Sequence, residues 1–180
     1  DVVGLMEIEN NGYGDNSAIA NLVAALNAAQ PDEADHYRWI ASPDGKPIGT
    51  DAITVGLIYR PAKVTPEGAA SLIALPVQQA EAVDASGKPV TINQGMRESL
   101  VQRFSSPKGD APLTLVVNHL KSKGSACFED YPDYASADPL DGQGHCNALR
   151  VSAAKVLGEH LKDLAGDLLL IGDMTAYGME

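Results

Sequence analysis

The stretch Leu113-Thr114-Leu115-Val116-Val117 is a nearly unbroken run of aliphatic and β-branched residues that opens directly onto Asn118-His119. A strand buried on both faces reads this way, and it delivers polar side chains where it ends. Upstream, Ser99 to Ser105 alternates Leu100, Gln102 and Phe104 with Val101 and Arg103, the pattern of another strand. Downstream, a helix starting at Asn147 places Leu149, Ala153, Val156, Leu157, Leu161 and Leu164 on one face, and Gly166 ends it. Leu168 to Ile171 then forms a last buried strand that terminates in Gly172-Asp173.

The N-terminal part follows the same logic. Val2, Val3, Leu5, Met6 and Ile8 form an apolar strand that emerges into Glu7-Ile8-Glu9-Asn10-Asn11-Gly12. After the capping residues Asp15-Asn16-Ser17, the positions Ile19, Leu22, Val23 and Leu26 fall at helical spacing. Tyr37 to Ala41 and Ile53 to Tyr59 are strand candidates, the second closed by Arg60-Pro61 because proline cannot donate to a ladder. Lys63 to Gln94 mixes Gly, Pro and short polar runs and reads as loops and brief strands without chemistry. Strict alternation of strand and helix therefore fails in the middle, which points to an α+β fold with a mixed pair of sheets covered by helices.

Composition narrows the function. With 13 basic and 24 acidic residues among 180, the formal net charge is −11, and 44% of residues are hydrophobic. These values suit one globular domain over residues 1–180. The longest apolar runs fall far short of the ~20 residues of a membrane span. A sequence pI near 4.6 excludes a module that binds nucleic acid through a broadly cationic face, so a polyanion would need bound cations or a local basic patch.

Cys127 and Cys146 are the two cysteines, separated by a polar, loop-like stretch. Two unrelated buried thiols, a zinc pair and a disulfide are the three readings. A zinc pair lacks Cys-x-x-Cys spacing or a convincing His pair. A disulfide is favoured and implies an oxidising compartment, extracellular or periplasmic. Because the sequence opens inside a strand and stops just after another, it reads as a fragment of a longer secreted protein.

Three apolar strands thus end in residues able to bind metal or move protons: Glu7, then Asn118 and His119, then Asp173. Strand ends are rigid mounts, and loops from one rim of a sheet pair bring such groups together. Taken singly, each has a plainer role: a solvated carboxylate, a hydrogen-bonded histidine or a turn cap.

The order of the surrounding motifs is more specific. Asp1-Val2-Val3-Gly4-Leu5-Met6-Glu7, Tyr59-Arg60-Pro61 with Lys63-Val64, Val117-Asn118-His119-Leu120-Lys121 and Leu170-Ile171-Gly172-Asp173-Met174-Thr175-Ala176 stand in sequence. Together they resemble the endonuclease/exonuclease/phosphatase superfamily, which shares the fold of pancreatic deoxyribonuclease. Arg97-Glu98-Ser99 running into Phe104-Ser105-Ser106 resembles that enzyme too. The loop from Lys121-Ser122-Lys123-Gly124-Ser125 through Cys127 to His145-Cys146-Asn147 is similar to secreted bacterial nucleases of the superfamily.

The resemblance implies a DNase I-like four-layer α/β/β/α sandwich, truncated at both ends, and metal-assisted hydrolysis of phosphate esters. It assigns Glu7 to Mg²⁺, or Mn²⁺ or Ca²⁺ in its place, as a hard oxygen ligand. It gives His119 the protonation of the leaving oxygen or stabilisation of the transition state, and Asp173 the positioning of the attacking water. The acidic partner of the histidine is expected upstream of Tyr59-Arg60-Pro61, with Asp51 as the candidate, two positions off the pattern and hence on the same strand face. Asn118, Arg60 and Lys121 are expected to contact substrate phosphate. Thr175 stands where relatives usually carry asparagine, and its shorter hydroxyl offers one donor.

The implied function is a secreted, metal-dependent nuclease acting on DNA and secondarily RNA, with this 180-residue chain weakly active or inactive because strands and further catalytic residues of the family are absent. The alternatives are a phosphomonoesterase or lipid phosphodiesterase of the same fold, since fold does not fix substrate, and a degenerate, non-catalytic binding domain. Exposed sheet edges would favour self-association.

Overall fold

The computed structural model describes residues 1–83, 87–124, 127, 142–164 and 166–176. Their order is β1 (Val2–Glu9), α1 (Ala18–Ala28), β2 (Arg38–Trp39), β3 (Ile53–Tyr59), β4 (Thr65–Ile73), β5 (Val77–Val83), β6 (Pro89–Gly95), β7 (Ser99–Ser105), β8 (Leu113–His119), α2 (Asn147–Leu161) and β9 (Asp167–Asp173). The chain divides into two compact units. The first comprises Asp1–Ala74, Arg97–His119 and Asp163–Asp173, and the second Leu75–Met96, Leu120–Lys162 and the residues from Met174.

Two sheets and one helix make the first unit. One sheet has the order β1-β3-β2 and is antiparallel; the other has the order β4-β7-β8-β9, antiparallel except for the parallel pair β8-β9. Their facing sides meet in a core of Val55, Leu57, Leu100, Phe104, Leu115 and Val117, with Val2, Tyr59 and Ile171 packed against it. The alternation along β3 puts Ile58 on the opposite face, where Ile19 and Val23 of α1 cover it. Ser17 caps α1 by accepting the Ala20 N–H at 3.3 Å. The α+β expectation and the mixed sheet pair are therefore present as helix, sheet and sheet.

The second unit holds the β5-β6 hairpin, α2 and the disulfide joining Cys127 to Cys146. Arg150 of α2 is buried and donates through Nη1 to the His145 carbonyl at 2.6 Å and through Nη2 to the Gln143 carbonyl at 3.1 Å. The guanidinium thus ties down the segment that enters its own helix. The expected disulfide is present; the loop between its cysteines lies mostly outside the described residues.

Several expectations change. The region 63–94, expected as loops and brief strands, is mostly strand, and its strands are seven to nine residues long. Pro66 is tolerated because β4 is an edge strand, and Gly68, with φ of 72°, lies in the irregularity between Glu67 and Ser71. The strand expected over 37–41 shortens to two residues, and α2 ends at Leu161, leaving Leu164 outside it and exposed. Asn118 and His119 belong to β8 itself instead of following it. β9 was expected to be buried, yet Leu168, Leu169 and Leu170 are exposed, Leu169 by 45%, because β9 is the edge of its sheet.

Candidate functional site

The site is built at one rim of the first unit, and strand register explains how. β8 and β9 run parallel with His119 opposite Asp173 and Asn118 opposite Gly172. Gly172 has a φ of 138°, and a Cβ built on it would lie 1.9 Å from the Asn118 carbonyl oxygen. Only glycine permits this approach. A histidine and a carboxylate are thereby set side by side by backbone pairing alone.

Glu7 arrives from the other sheet. Between the pairs Leu5↔Gly56 and Ile8↔Thr54, β1 spends one more residue than β3, which is a β-bulge. Glu7 lies in it with φ of 59°, a left-handed conformation that costs a non-glycine residue ~1 kcal/mol or more. The sequence placed Glu7 at a strand end; the structure places it inside β1, turned out of the regular alternation. Its side chain is 70% exposed, with Oε1 3.9 Å from Nε2 of His119.

His119 is 4% exposed. Desolvation lowers its pKa below the ordinary 6.5, and the nearby Arg97 cation lowers it further; Asp173, Glu7 and Asp51 act in the opposite direction without reversing the shift. The neutral imidazole is thus the resting form at neutral pH. Nδ1 is buried and lacks a hydrogen-bond partner among the described residues.

Asp51 precedes β3 by two residues and so lies outside the strand, without the alternating face expected for it. Asn10 anchors the segment: its Nδ2 donates to the carbonyls of Ile48 at 2.8 Å and Asp51 at 2.9 Å. Asp51 Oδ1 accepts the Ala52 N–H at 2.7 Å, and Oδ2 meets Arg97 Nη2 at 2.9 Å. The expected acid–histidine partnership takes the form of an acid–arginine pair beside the histidine. Arg97, only 19% exposed, is a functional candidate to which the sequence reading assigned no role. The signal available was its position just before β7, whose Ser99 lies level with Asn118.

Other candidates are placed differently. Asn118 is fully enclosed: its Oδ1 accepts from Ser99 Oγ at 2.5 Å, and its Nδ2 donates to the carbonyls of Val116 at 3.1 Å and Ile171 at 3.3 Å. Its amide is committed to the scaffold. Arg60 follows the far end of β3, a strand length of ~23 Å from Asp51. There it pairs with Asp35 at 3.3 Å and lies over the Tyr37 ring at 4.9 Å. A polar cavity of about 250 Å³ beside it is lined by Asn27, Glu33, His36, Tyr37, Arg38 and Pro61. In the second unit, the Lys121 carbonyl accepts from Thr175 Oγ1 at 2.8 Å, and the Lys121 N–H donates to Met96 Sδ at 2.9 Å. Thr175 has φ of 47°.

Among the described residues, no group of three His, Cys, Asp or Glu side chains could hold a metal ion. The exposed Glu7 carboxylate fits a hard cation held by one protein oxygen and otherwise by water and substrate oxygens, as Mg²⁺ commonly is, but not a closed cage. None of the helices among the described residues is long and apolar enough to cross a membrane.

No family model matches the chain, and no curated protein matches it. Similar solved structures include a humanized D. rerio TDP2 carrying 14 mutations, at 16% identity and a TM-score of 0.48, covering 99% of this chain and 50% of that one. ANGEL2, a 2',3'-cyclic phosphatase, is similar at 13% identity and a TM-score of 0.47, covering 99% and 40%. An endonuclease/exonuclease/phosphatase from Bacteroides vulgatus is similar at 16% identity and a TM-score of 0.44, covering 98% and 52%. The chain spans about half the length, or less, of these solved structures.

Proposed function

We propose that the chain carries the hydrolytic centre of a metal-dependent phosphodiesterase of the extracellular nuclease type, acting on DNA and secondarily on RNA. The observation that carries this reading is the convergence of a buried, neutral His119 with Glu7, Asp51, Asp173 and Arg97 at one rim. An acidic protein gains local attraction for a phosphodiester there in two ways, through the partly buried Arg97 and through a cation on Glu7.

Glu7 would hold Mg²⁺, with Mn²⁺ or Ca²⁺ as substitutes, and such an ion supplies neutralisation of a phosphate oxygen. Asp173, paired with His119 across the ladder, orients water toward phosphorus. A histidine with a lowered pKa is unprotonated at neutral pH and so is available to accept, although it is a weaker base; His119 takes the water proton as the P–O bond forms. The three carboxylates around it stabilise the imidazolium that results, while the P–O bond on the far side of phosphorus breaks and the leaving oxygen takes a proton from solvent. Arg97 meets the phosphate charge while Asp51 holds its guanidinium in place. The disulfide suits an extracellular or periplasmic setting, and the apolar edge of β9 favours self-association.

The test is plasmid cleavage by the 180-residue chain in Mg²⁺, alongside inositol phosphate and sphingomyelin. Cleavage of plasmid that is lost in His119→Ala and in chelator supports the reading. Turnover of either other substrate in preference to plasmid moves the site to a phosphomonoesterase or a lipid phosphodiesterase. A chain that turns over none of them and shows no saturable heat with Mg²⁺ or Mn²⁺ is a binding scaffold instead. Sedimentation showing only monomer at high concentration removes self-association.

A further inference from the structure

β8 and β9 present a register problem. Leu115, Val116 and Val117 lie opposite Leu169, Leu170 and Ile171, so the paired segments are aliphatic throughout. A slip of two residues would keep every side chain on its own face and still set Leu113 and Leu115 opposite Leu169 and Ile171, with Val116 and Val117 then opposite Gly172 and Asp173. It would also carry Asp173 ~6.6 Å away from His119, because a strand rises about 3.3 Å per residue. Aliphatic pairing therefore opposes such a slip only at the strand ends, where the rim itself lies.

The polar pair in this otherwise apolar layer supplies the missing specification. Ser99 and Asn118 are both wholly buried. A buried hydroxyl and carboxamide are costly unless their hydrogen bonds are made, so they are tolerated only in an arrangement that satisfies them. Here Ser99 Oγ on β7 donates to Asn118 Oδ1 on β8, and Asn118 Nδ2 reaches the Ile171 carbonyl on β9. Three adjacent strands are linked within two residues of His119 and Asp173. Gly172 completes the match, since its lack of a Cβ is needed only where it faces Asn118. We infer that Ser99 and Asn118 are positioning residues that pin the β8-β9 register and so hold Asp173 beside His119. This rests on the reading of the rim as a hydrolytic centre, although the pinning itself can be measured without turnover.

The experiment compares Ser99→Ala, Asn118→Val and Ser99→Thr with Phe104→Leu, a buried control at the other end of β7, in the full chain. Backbone amide exchange is read at His119, Gly172 and Asp173, together with thermal unfolding and plasmid cleavage. Ser99→Ala and Asn118→Val are expected to speed exchange at Gly172 and Asp173 by about tenfold, beyond what the control shows at an equal loss of melting temperature. Ser99→Thr, which keeps the donor, is expected to restore protection and also kcat. Exchange at these amides that merely tracks melting temperature across all four variants overturns the inference. If Asn118→Val does not fold, the contrast between Ser99→Ala and Ser99→Thr decides the matter alone. A wild-type chain that cleaves nothing and gives no saturable heat with Mg²⁺ or Mn²⁺, while exchange responds as expected, sinks the hydrolytic reading and leaves the pin standing.

Discussion

Arg97 Nη2 and Asp51 Oδ2 lie 2.9 Å apart, joining the approach to β7 with the approach to β3 across two different sheets. The arginine is too enclosed for an ordinary surface cation, and a paired carboxylate fixes its fork. Arg97→Ala is expected to lower kcat/KM by about 10- to 100-fold, with a stability change near 1 kcal/mol because the pair is partly solvated. Arg97→Lys should recover little, since an ammonium cannot reproduce the planar fork. Cleavage kinetics and urea unfolding of both variants check this.

The His119 proton gives a pH prediction with a definite sign. Its folded pKa lies below 6.5, so between that lower value and 6.5 the unfolded chain binds a proton that the folded chain refuses. This contribution to stability is fully present above 6.5 and is lost as pH falls through the folded pKa. Activity that needs neutral imidazole should persist below pH 6.5. Titration of the ring by NMR is the direct check, and a midpoint above 6.5 would contradict the burial argument.

Glu7 poses stability against function. Glu7→Gly removes the penalty of a left-handed conformation and is expected to stabilise the fold by up to ~1 kcal/mol while abolishing metal-dependent cleavage. Glu7→Gln keeps the strain and loses the charge, so it should match wild type in denaturant and match the glycine variant in the cleavage assay. Equal unfolding midpoints for all three proteins would remove the strain argument.

Gly172→Ala should be among the most damaging small substitutions. Its methyl would meet the Asn118 backbone, which has no flexible end to move aside, so β8 and β9 must separate locally. A loss of more than ~3 kcal/mol is expected, read as a collapse of the unfolding midpoint or as failure to accumulate folded protein.

Reduction of Cys127–Cys146 releases a closed loop spanning 19 positions, and the chain-entropy model gives about 3 kcal/mol for a loop of this size. Cys127→Ser with Cys146→Ser should lower the melting temperature, and wild type in reductant should follow it. If reductant leaves the melting temperature unchanged, the bond stabilises nothing.

Legibility in the sequence followed apolar periodicity. β1, β3, β7, β8 and α1 could be read because Val, Ile and Leu recur at spacings that only one kind of element buries. β4 could not, because Pro66 and Gly68 are signs of a loop unless an edge strand and an irregular register accommodate them. The leucines of β9 looked interior because composition does not say whether a strand lies at the edge of its sheet. At the site, His119 and Asp173 stand as the polar last residues of apolar strands, whereas Glu7 sits in a bulge inside β1 that apolar periodicity does not encode. The role of Arg97 was not legible either, since it arises from a pairing with Asp51 that no local pattern encodes. Nor was the inward commitment of Asn118, which depends on Ser99 from a neighbouring strand.

The bulge in β1 makes the position of a carboxylate depend on a count of residues. Removing one residue between Leu5 and Ile8 would restore even pairing with β3 and return this segment to plain alternation, erasing the outward turn without touching any charged group. A distant homologue that lacks this single insertion could therefore keep both sheets, the histidine and the aspartate, and still have nowhere to put its glutamate.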